Sequence, residues 1–148
     1  MSNDNSITSF TFGAIFNKEK ILFDDIASIN CIKELIYQYK LLIFKNVVLN
    51  DSNFVKLSKI LGEPEIALLR KFQVKNFPFI RMQSNVEKDA ADNVGEYWHS
   101  DGAWRENPSK FTLLYNMSAP VEGGETLFVD MENAYRELPS NIKKKFKI

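Results

Sequence analysis

Apolar and polar positions recur with two different periods along this chain, and the changes of period mark its elements. Ile7–Phe16 is rich in β-branched and aromatic residues and predicts an early strand, ended by the polar turn Asn17-Lys18-Glu19-Lys20. The spacing then changes. Ile29, Ile32, Leu35, Ile36 and Tyr39 form one apolar stripe of a helix over Ile26–Lys40, with Asp25 placed to cap it. Leu41–Phe44 is a short apolar run that reads as a buried strand. Asp51 or Ser52 can cap a second helix, whose buried face is Phe54, Leu57, Ile60 and Leu61. Gly62 suits a left-handed position after that helix, and Pro64 forbids its continuation. Glu65–Pro78 has no clear period and reads as a loop; Phe79–Ser84 reads as a strand, and 85–94 as a polar, charged loop. Lys110–Met117 alternates, with Phe111, Leu113, Tyr115 and Met117 facing one way and Thr112, Leu114 and Asn116 the other. Glu125–Val129 predicts a further strand and Met131–Leu138 a helix, broken at Pro139, after which Ser140 can cap another. The pattern is mixed α+β, and residues 1–148 have the length of one domain.

Composition narrows the function classes. Nineteen basic and nineteen acidic side chains give a formal net charge of zero, which disfavours a nucleic-acid or polyanion binder. The single cysteine, Cys31, cannot form an internal disulfide, which suits a reducing compartment. Lying in an apolar helical pattern, it is expected to be a buried structural thiol. The first residues lack the basic and apolar regions of a signal peptide, and no apolar run approaches the ~18 residues of a membrane span. The expected location is the cytoplasm. The basic run Lys143-Lys144-Lys145 with Lys147 fits a helix C-terminus, where cations complement the dipole.

The candidate chemistry lies in Gly95-Glu96-Tyr97-Trp98-His99-Ser100-Asp101-Gly102, which holds the only histidine. If Tyr97–Asp101 is extended, alternate side chains share a face, and His99 and Asp101 point the same way. An imidazole nitrogen and a carboxylate oxygen then converge on one ion. A His-x-Asp pair with a distant second His is the facial triad of non-haem Fe(II) oxygenases. Taken alone, the tripeptide is more often a surface or hydrogen-bonded histidine beside an acid than a pair of ligands. Tyr97 shares the metal face and either borders a substrate pocket or is a packed aromatic. Arg70 reads from the residues as a solvated surface charge.

The residues around the pair add a second line. Trp98-His99-Ser100-Asp101, Lys110-Phe111-Thr112-Leu113-Leu114, Gly123-Gly124-Glu125-Thr126, Phe128-Val129-Asp130-Met131 and Ala134-Tyr135 occur in that order. In this the chain resembles the TauD/TfdA family of Fe(II)/2-oxoglutarate dioxygenases, the group of taurine and chlorophenoxyacetate dioxygenases. The resemblance runs from about Asp25 to the last residue and is most specific over Trp98–Tyr135. It implies a double-stranded β-helix (jelly-roll, cupin-like) with flanking helices. It also implies Fe(II) held by His99 and Asp101, and 2-oxoglutarate as co-substrate, with the Thr126 hydroxyl on one carboxylate and Leu114 bordering it. Only this resemblance places the loop of Arg70 near a substrate, where Arg70 would meet an anionic one. The implied reaction hydroxylates a small organic substrate with O2 while 2-oxoglutarate is converted to succinate and CO2. The wording of the motifs is closer to the chlorophenoxyacetate branch than to the taurine branch.

The chain departs from the family pattern in one respect. The family's second metal-binding His and the Arg that pairs with the far carboxylate of 2-oxoglutarate belong to a part this sequence lacks, and Arg105 and Arg136 lie in the wrong segments to replace that Arg. The β-helix is therefore expected to be incomplete, truncated on its C-terminal side, with strands 110–117 and 125–129 presenting unpaired edges. Three readings follow: the N-terminal portion of a dioxygenase, inactive by itself; half of a split enzyme completed by a partner chain or by a homo-oligomer; or a non-catalytic binding module.

Overall fold

The computed structural model describes residues 7–9, 12–17, 26–84 and 95–146. Among the described residues, two small sheets, four α-helices and two short 3-10 turns make up the regular structure. The first sheet is built from β1 (Ile7–Ser9), β2 (Ala14–Asn17) and β3 (Leu42–Lys45). β1 runs antiparallel to β2, whereas β2 and β3 are parallel, paired Ala14↔Leu42 through Asn17↔Lys45. Parallel neighbours need a long connection, and α1 (Ile26–Tyr39) supplies it. The expected single strand over Ile7–Phe16 is thus two strands. Gly13, at φ +97°, turns the chain between them in a conformation that favours glycine. The Gly13 amide donates to Tyr39 O and the Ala14 amide to Leu41 O, both at 2.9 Å, which ties β2 to the end of α1.

α1 ends one residue earlier than its pattern suggested, because Lys40 adopts the left-handed conformation (φ +65°). Asp25, its expected cap, lies outside the described residues. Ile32 is buried and Leu35, Ile36 and Tyr39 are half-buried, as the stripe requires. Cys31 is exposed, contrary to expectation. It is one residue, about 100° of helix, away from Ile32 and falls off the apolar face.

α2 (Asp51–Leu61) is capped by Asn50, not by Asp51 or Ser52: Asn50 Oδ1 accepts the Asn53 amide at 2.8 Å. That places Asp51 in the first turn, where its charge suits the dipole. Leu57 is buried and Phe54, Ile60 and Leu61 are half-buried. Gly62 is extended (φ 166°) rather than left-handed. Residues 65–78, expected to be a loop, contain a 3-10 turn over Arg70–Phe72 and β4 (Gln73–Val74); β4 pairs with β5 (Phe77–Arg81), which starts and ends before the expected Phe79–Ser84. The two-residue connection Lys75-Asn76 places Asn76 at φ +68°, a conformation asparagine tolerates better than most residues. Pro78 lies within β5, and its carbonyl accepts the Ala67 amide at 3.0 Å.

The second half is less regular. No ladder forms over 110–117 or 125–129, so the strands expected there, and with them a double-stranded β-helix, are not seen among the described residues. The alternation of 110–117 persists without a ladder. Phe111, Leu113 and Tyr115 are half-buried while Thr112, Leu114 and Asn116 are exposed. The inward side packs on the helices: Phe111 meets Tyr37 edge-on at 5.9 Å, Tyr115 meets Phe54 at 6.1 Å, and the Tyr115 hydroxyl accepts the Leu49 amide at 3.2 Å. Leu114, Met117, Val121, Leu127, Phe128 and Val129 are exposed apolar side chains. An extended segment with only one packed side keeps its period-2 exposure but has no neighbour to complete a ladder.

α3 (Met131–Glu137) is capped by Asp130, whose Oδ1 accepts the Glu132 and Asn133 amides at 3.1 Å each. α4 (Ser140–Lys143) starts at Ser140 without using its side chain as a cap, so that expectation fails; Pro139 precedes it in extended conformation. Lys143 Nζ donates to Arg136 O near the end of α3 at 2.6 Å, in the sense expected of a cation at a helix C-terminus. Among the described residues no helix is long and apolar enough to cross a membrane.

Candidate metal centre

Residues 95–100 are irregular, with a bend at Tyr97, and 101–104 form a turn; the extended strand expected over Tyr97–Asp101 is absent. The turn is closed by the Ala103 amide on Ser100 O (3.2 Å) and the Arg105 amide on Gly102 O (2.9 Å), with Gly102 at φ +66°. His99 and Asp101 nonetheless meet. His99 Nε2 lies 3.3 Å from Asp101 Oδ1. His99 Nδ1 lies 2.7 Å from the Tyr97 carbonyl oxygen. A carbonyl only accepts, so Nδ1 carries a proton, which leaves Nε2 as the ring nitrogen that faces the carboxylate and would offer its lone pair to a cation held between them. Two unlike donors facing each other in this way fit a shared cation. Bonds of about 2.1 Å meeting at a right angle leave their donor atoms roughly 3.0 Å apart, close to what is observed. Both side chains are partly exposed, at 41% and 50%, so an ion bound there would keep open positions.

The other oxygen of Asp101 is also engaged. Thr112 Oγ1 donates to Asp101 Oδ2 at 2.7 Å, joining the turn to the segment packed on α1 and α2. A second tie lies further along: Arg105 forms an ion pair with Glu65, and Ser109 Oγ donates to Glu65 Oε1 at 3.1 Å. Neither tie was foreseen. Period-2 alternation placed Thr112 opposite Phe111, and nothing local marked its hydroxyl for Asp101.

The remaining candidates are spread out. Tyr97 is 76% exposed, its ring 5.5 Å from that of His99. Leu114 is exposed on the same outward side of its segment as Thr112. Thr126 is exposed in an irregular stretch, and among the described residues no hydrogen bond joins it to His99 or Asp101. Arg70 is exposed at the start of its 3-10 turn, with no acidic partner among the described residues. Among those residues there is also no group of three His, Cys, Asp or Glu side chains able to enclose an ion.

A cleft of about 360 Å³ between the end of α1 and α3 is lined by Tyr39, Lys40, Asp130 and Arg136 but contains neither His99 nor Asp101. At its edge a lysine is paired with two acids. Lys40 Nζ lies 2.8 Å from both Asp130 Oδ2 and Glu132 Oε2. These bonds raise the Lys40 ammonium above its ordinary range and hold both carboxyls below theirs, with the Asn133 amide adding to the effect at Asp130. That arrangement seats α3 on α1 and offers no obvious chemistry.

The ordered motifs agree with a direct comparison: residues 6–148 match the family described as taurine catabolism dioxygenase TauD, TfdA family. The chain belongs to the TauD/TfdA family. Its fold family is cupin-like. The chain is 28% identical over 121 residues to an alpha-ketoglutarate-dependent 2,4-dichlorophenoxyacetate dioxygenase of Burkholderia sp., covering 72% of this chain and 41% of that protein. It is 26% identical over 120 residues to an alpha-ketoglutarate-dependent sulfate ester dioxygenase of Pseudomonas putida (80% and 38%). It is also 26% identical over 136 residues to an (S)-phenoxypropionate/alpha-ketoglutarate dioxygenase of Sphingobium herbicidovorans (90% and 47%). The chain thus spans less than half the length of these curated relatives.

Proposed function

We propose that this TauD/TfdA chain carries the first two iron-binding groups of a 2-oxoglutarate-dependent dioxygenase acting on a small organic substrate. The observation that carries this reading is the His99–Asp101 pair, with Nδ1 committed to Tyr97 O and Nε2 turned toward Oδ1 at 3.3 Å. His99 Nε2 and Asp101 Oδ1 would hold Fe(II) on adjacent positions. When bound, Fe(II) with 2-oxoglutarate supplies the O2 activation that couples decarboxylation of the co-substrate to hydroxylation of a C–H bond. The chain's own task is to hold the donors and orient the small molecules. Thr126 would offer its hydroxyl to a carboxylate of 2-oxoglutarate, and Leu114 would border that molecule. Tyr97 and Arg70 would face the substrate. The relatives' names specify carboxylate or sulfate-ester compounds, so an anionic substrate opposite Arg70 is the natural choice. In this reading the third iron ligand and the Arg for 2-oxoglutarate come from polypeptide outside these 148 residues, in a continuous or a complementing chain that completes the double-stranded β-helix over the exposed apolar side chains of 114–129.

The test is anaerobic addition of Fe(II) and 2-oxoglutarate, followed by measurement of visible charge-transfer absorption and, after O2, of succinate. The 148-residue chain is expected to give neither. Addition of a polypeptide supplying the missing His and Arg should give both, and His99→Ala or Asp101→Ala in this chain should abolish them. Succinate formation that survives both substitutions refutes the assignment. A second reading, a binding module without redox chemistry, is favoured by the two-donor set; ligand binding without succinate in the completed protein would select it.

A further inference from the structure

Asp101 must present one oxygen toward His99, yet the segment that carries it has little structure of its own. Residues 95–100 are irregular and exposed. An aspartate carboxylate has a broad, roughly two-fold χ2 preference, so a half-exposed one rotates unless something holds it. The side chain that holds it is Thr112, through the 2.7 Å bond from Oγ1 to Oδ2. A hydroxyl on a carboxylate at this distance is a charge-assisted bond. Thr112 is itself well placed to act as an anchor. It is β-branched and stiff at χ1. Its neighbours Phe111 and Tyr115 fasten the same segment to Tyr37, Phe54 and the Leu49 amide. The bond therefore joins an exposed turn to the packed helices and leaves Oδ1 as the oxygen facing Nε2.

Resting on the metal reading above, we infer that Thr112 is a positioning residue for the metal-binding carboxylate: its hydroxyl fixes which oxygen of Asp101 is offered to the ion. Groups that orient a metal ligand in this way are worth about 10–100-fold in metal affinity. The experiment is Mn(II) titration of the full 148-residue chain, with free ion followed by its electron paramagnetic resonance signal. Thr112→Val keeps the shape and removes the hydroxyl; it should weaken Mn(II) binding at least about 10-fold. Thr112→Ser restores the hydroxyl and should recover most of the affinity. Since Thr112 is exposed, both variants should melt like the parent, so a loss confined to metal affinity supports positioning rather than folding. His99→Ala and Asp101→Ala serve as reference losses. Thr112→Val binding as tightly as the parent, while those two lose the ion, overturns this inference alone. Thr112→Ser as weak as Thr112→Val also overturns it. A parent chain that takes up no Mn(II) overturns the metal reading together with it.

Discussion

Phe16→Ala is the sharpest probe of what holds this chain together. Phe16 is 3% exposed and stacks on Phe44, its registered partner across β2 and β3, with ring centroids 5.1 Å apart and planes at 24°. A buried Phe covers on the order of 150–250 Å², of which truncation to Ala removes about three-fifths, or about 3 kcal/mol at 25 cal/mol per Å². Loss of the stacked pair and the cavity left behind add about 1 kcal/mol, giving roughly 4 kcal/mol in all. Among the described residues Ala14, Phe16, Ile32 and Leu57 are the buried apolar side chains, so this is a large part of a stability that is about 5–15 kcal/mol for ordinary domains. Urea unfolding followed by circular dichroism at 222 nm measures it. With a slope of about 2 kcal/mol per molar, the midpoint should fall by about 2 M. Val48→Ala, at a side chain 87% exposed, should move it by no more than about 0.5 kcal/mol. A Phe16→Ala loss no larger than that of Val48→Ala would refute the placing of Phe16 in the core.

Further expectations concern caps, charges and the thiol. Asn50→Ala should cost about 1 kcal/mol in the same unfolding assay and Asn50→Asp much less, since the carboxylate still accepts the Asn53 amide. The Lys40 cluster should contribute over a defined pH window. Asp130 and Glu132 are depressed, so their contribution is complete above their ordinary values of 3.8 and 4.5 and is lost as pH falls through the lower folded values. Lys40 is raised, so its share is complete below 10.5 and is lost as pH rises through the higher folded value. Lys40→Met should therefore lower the melting temperature at neutral pH and have little effect near pH 2, a contrast thermal melts at the two values will reveal. Cys31 should react with a thiol reagent such as DTNB in the native protein, one equivalent per chain, without denaturant; reaction only after unfolding would restore the buried thiol.

Local pattern made some of this molecule legible and left other parts opaque. The helices over 26–39 and 51–61 follow apolar stripes and were visible because a helix buries a face that it defines by itself, whereas 131–137 forms its helix with Met131 and Tyr135 exposed. Their ends were less visible. Asn50 and not Asp51 caps α2, and Gly62 is extended, because an end depends on which side chain reaches an amide, not on residue type alone. Gly13, just before β2, and Asn76, between β4 and β5, take positive φ inside stretches whose composition reads otherwise. Strands 110–117 and 125–129 were expected from alternation, but a ladder is a property of two segments, and one segment's period cannot supply its neighbour. At the site, spacing put His99 and Asp101 together without the extended backbone invoked for it. The bond from Thr112, eleven residues on, joins segments whose proximity no local spacing encodes.

Both tryptophans of this chain, Trp98 and Trp104, lie within six positions of His99 and are 67% and 75% exposed. The indole emission of the protein therefore originates almost beside the donor pair and from water-facing rings. A paramagnetic ion seated between His99 and Asp101 should quench it, and a polypeptide laid over that face should shift it to the blue. The molecule thus carries its own optical gauge of what arrives at the site, with no label to attach.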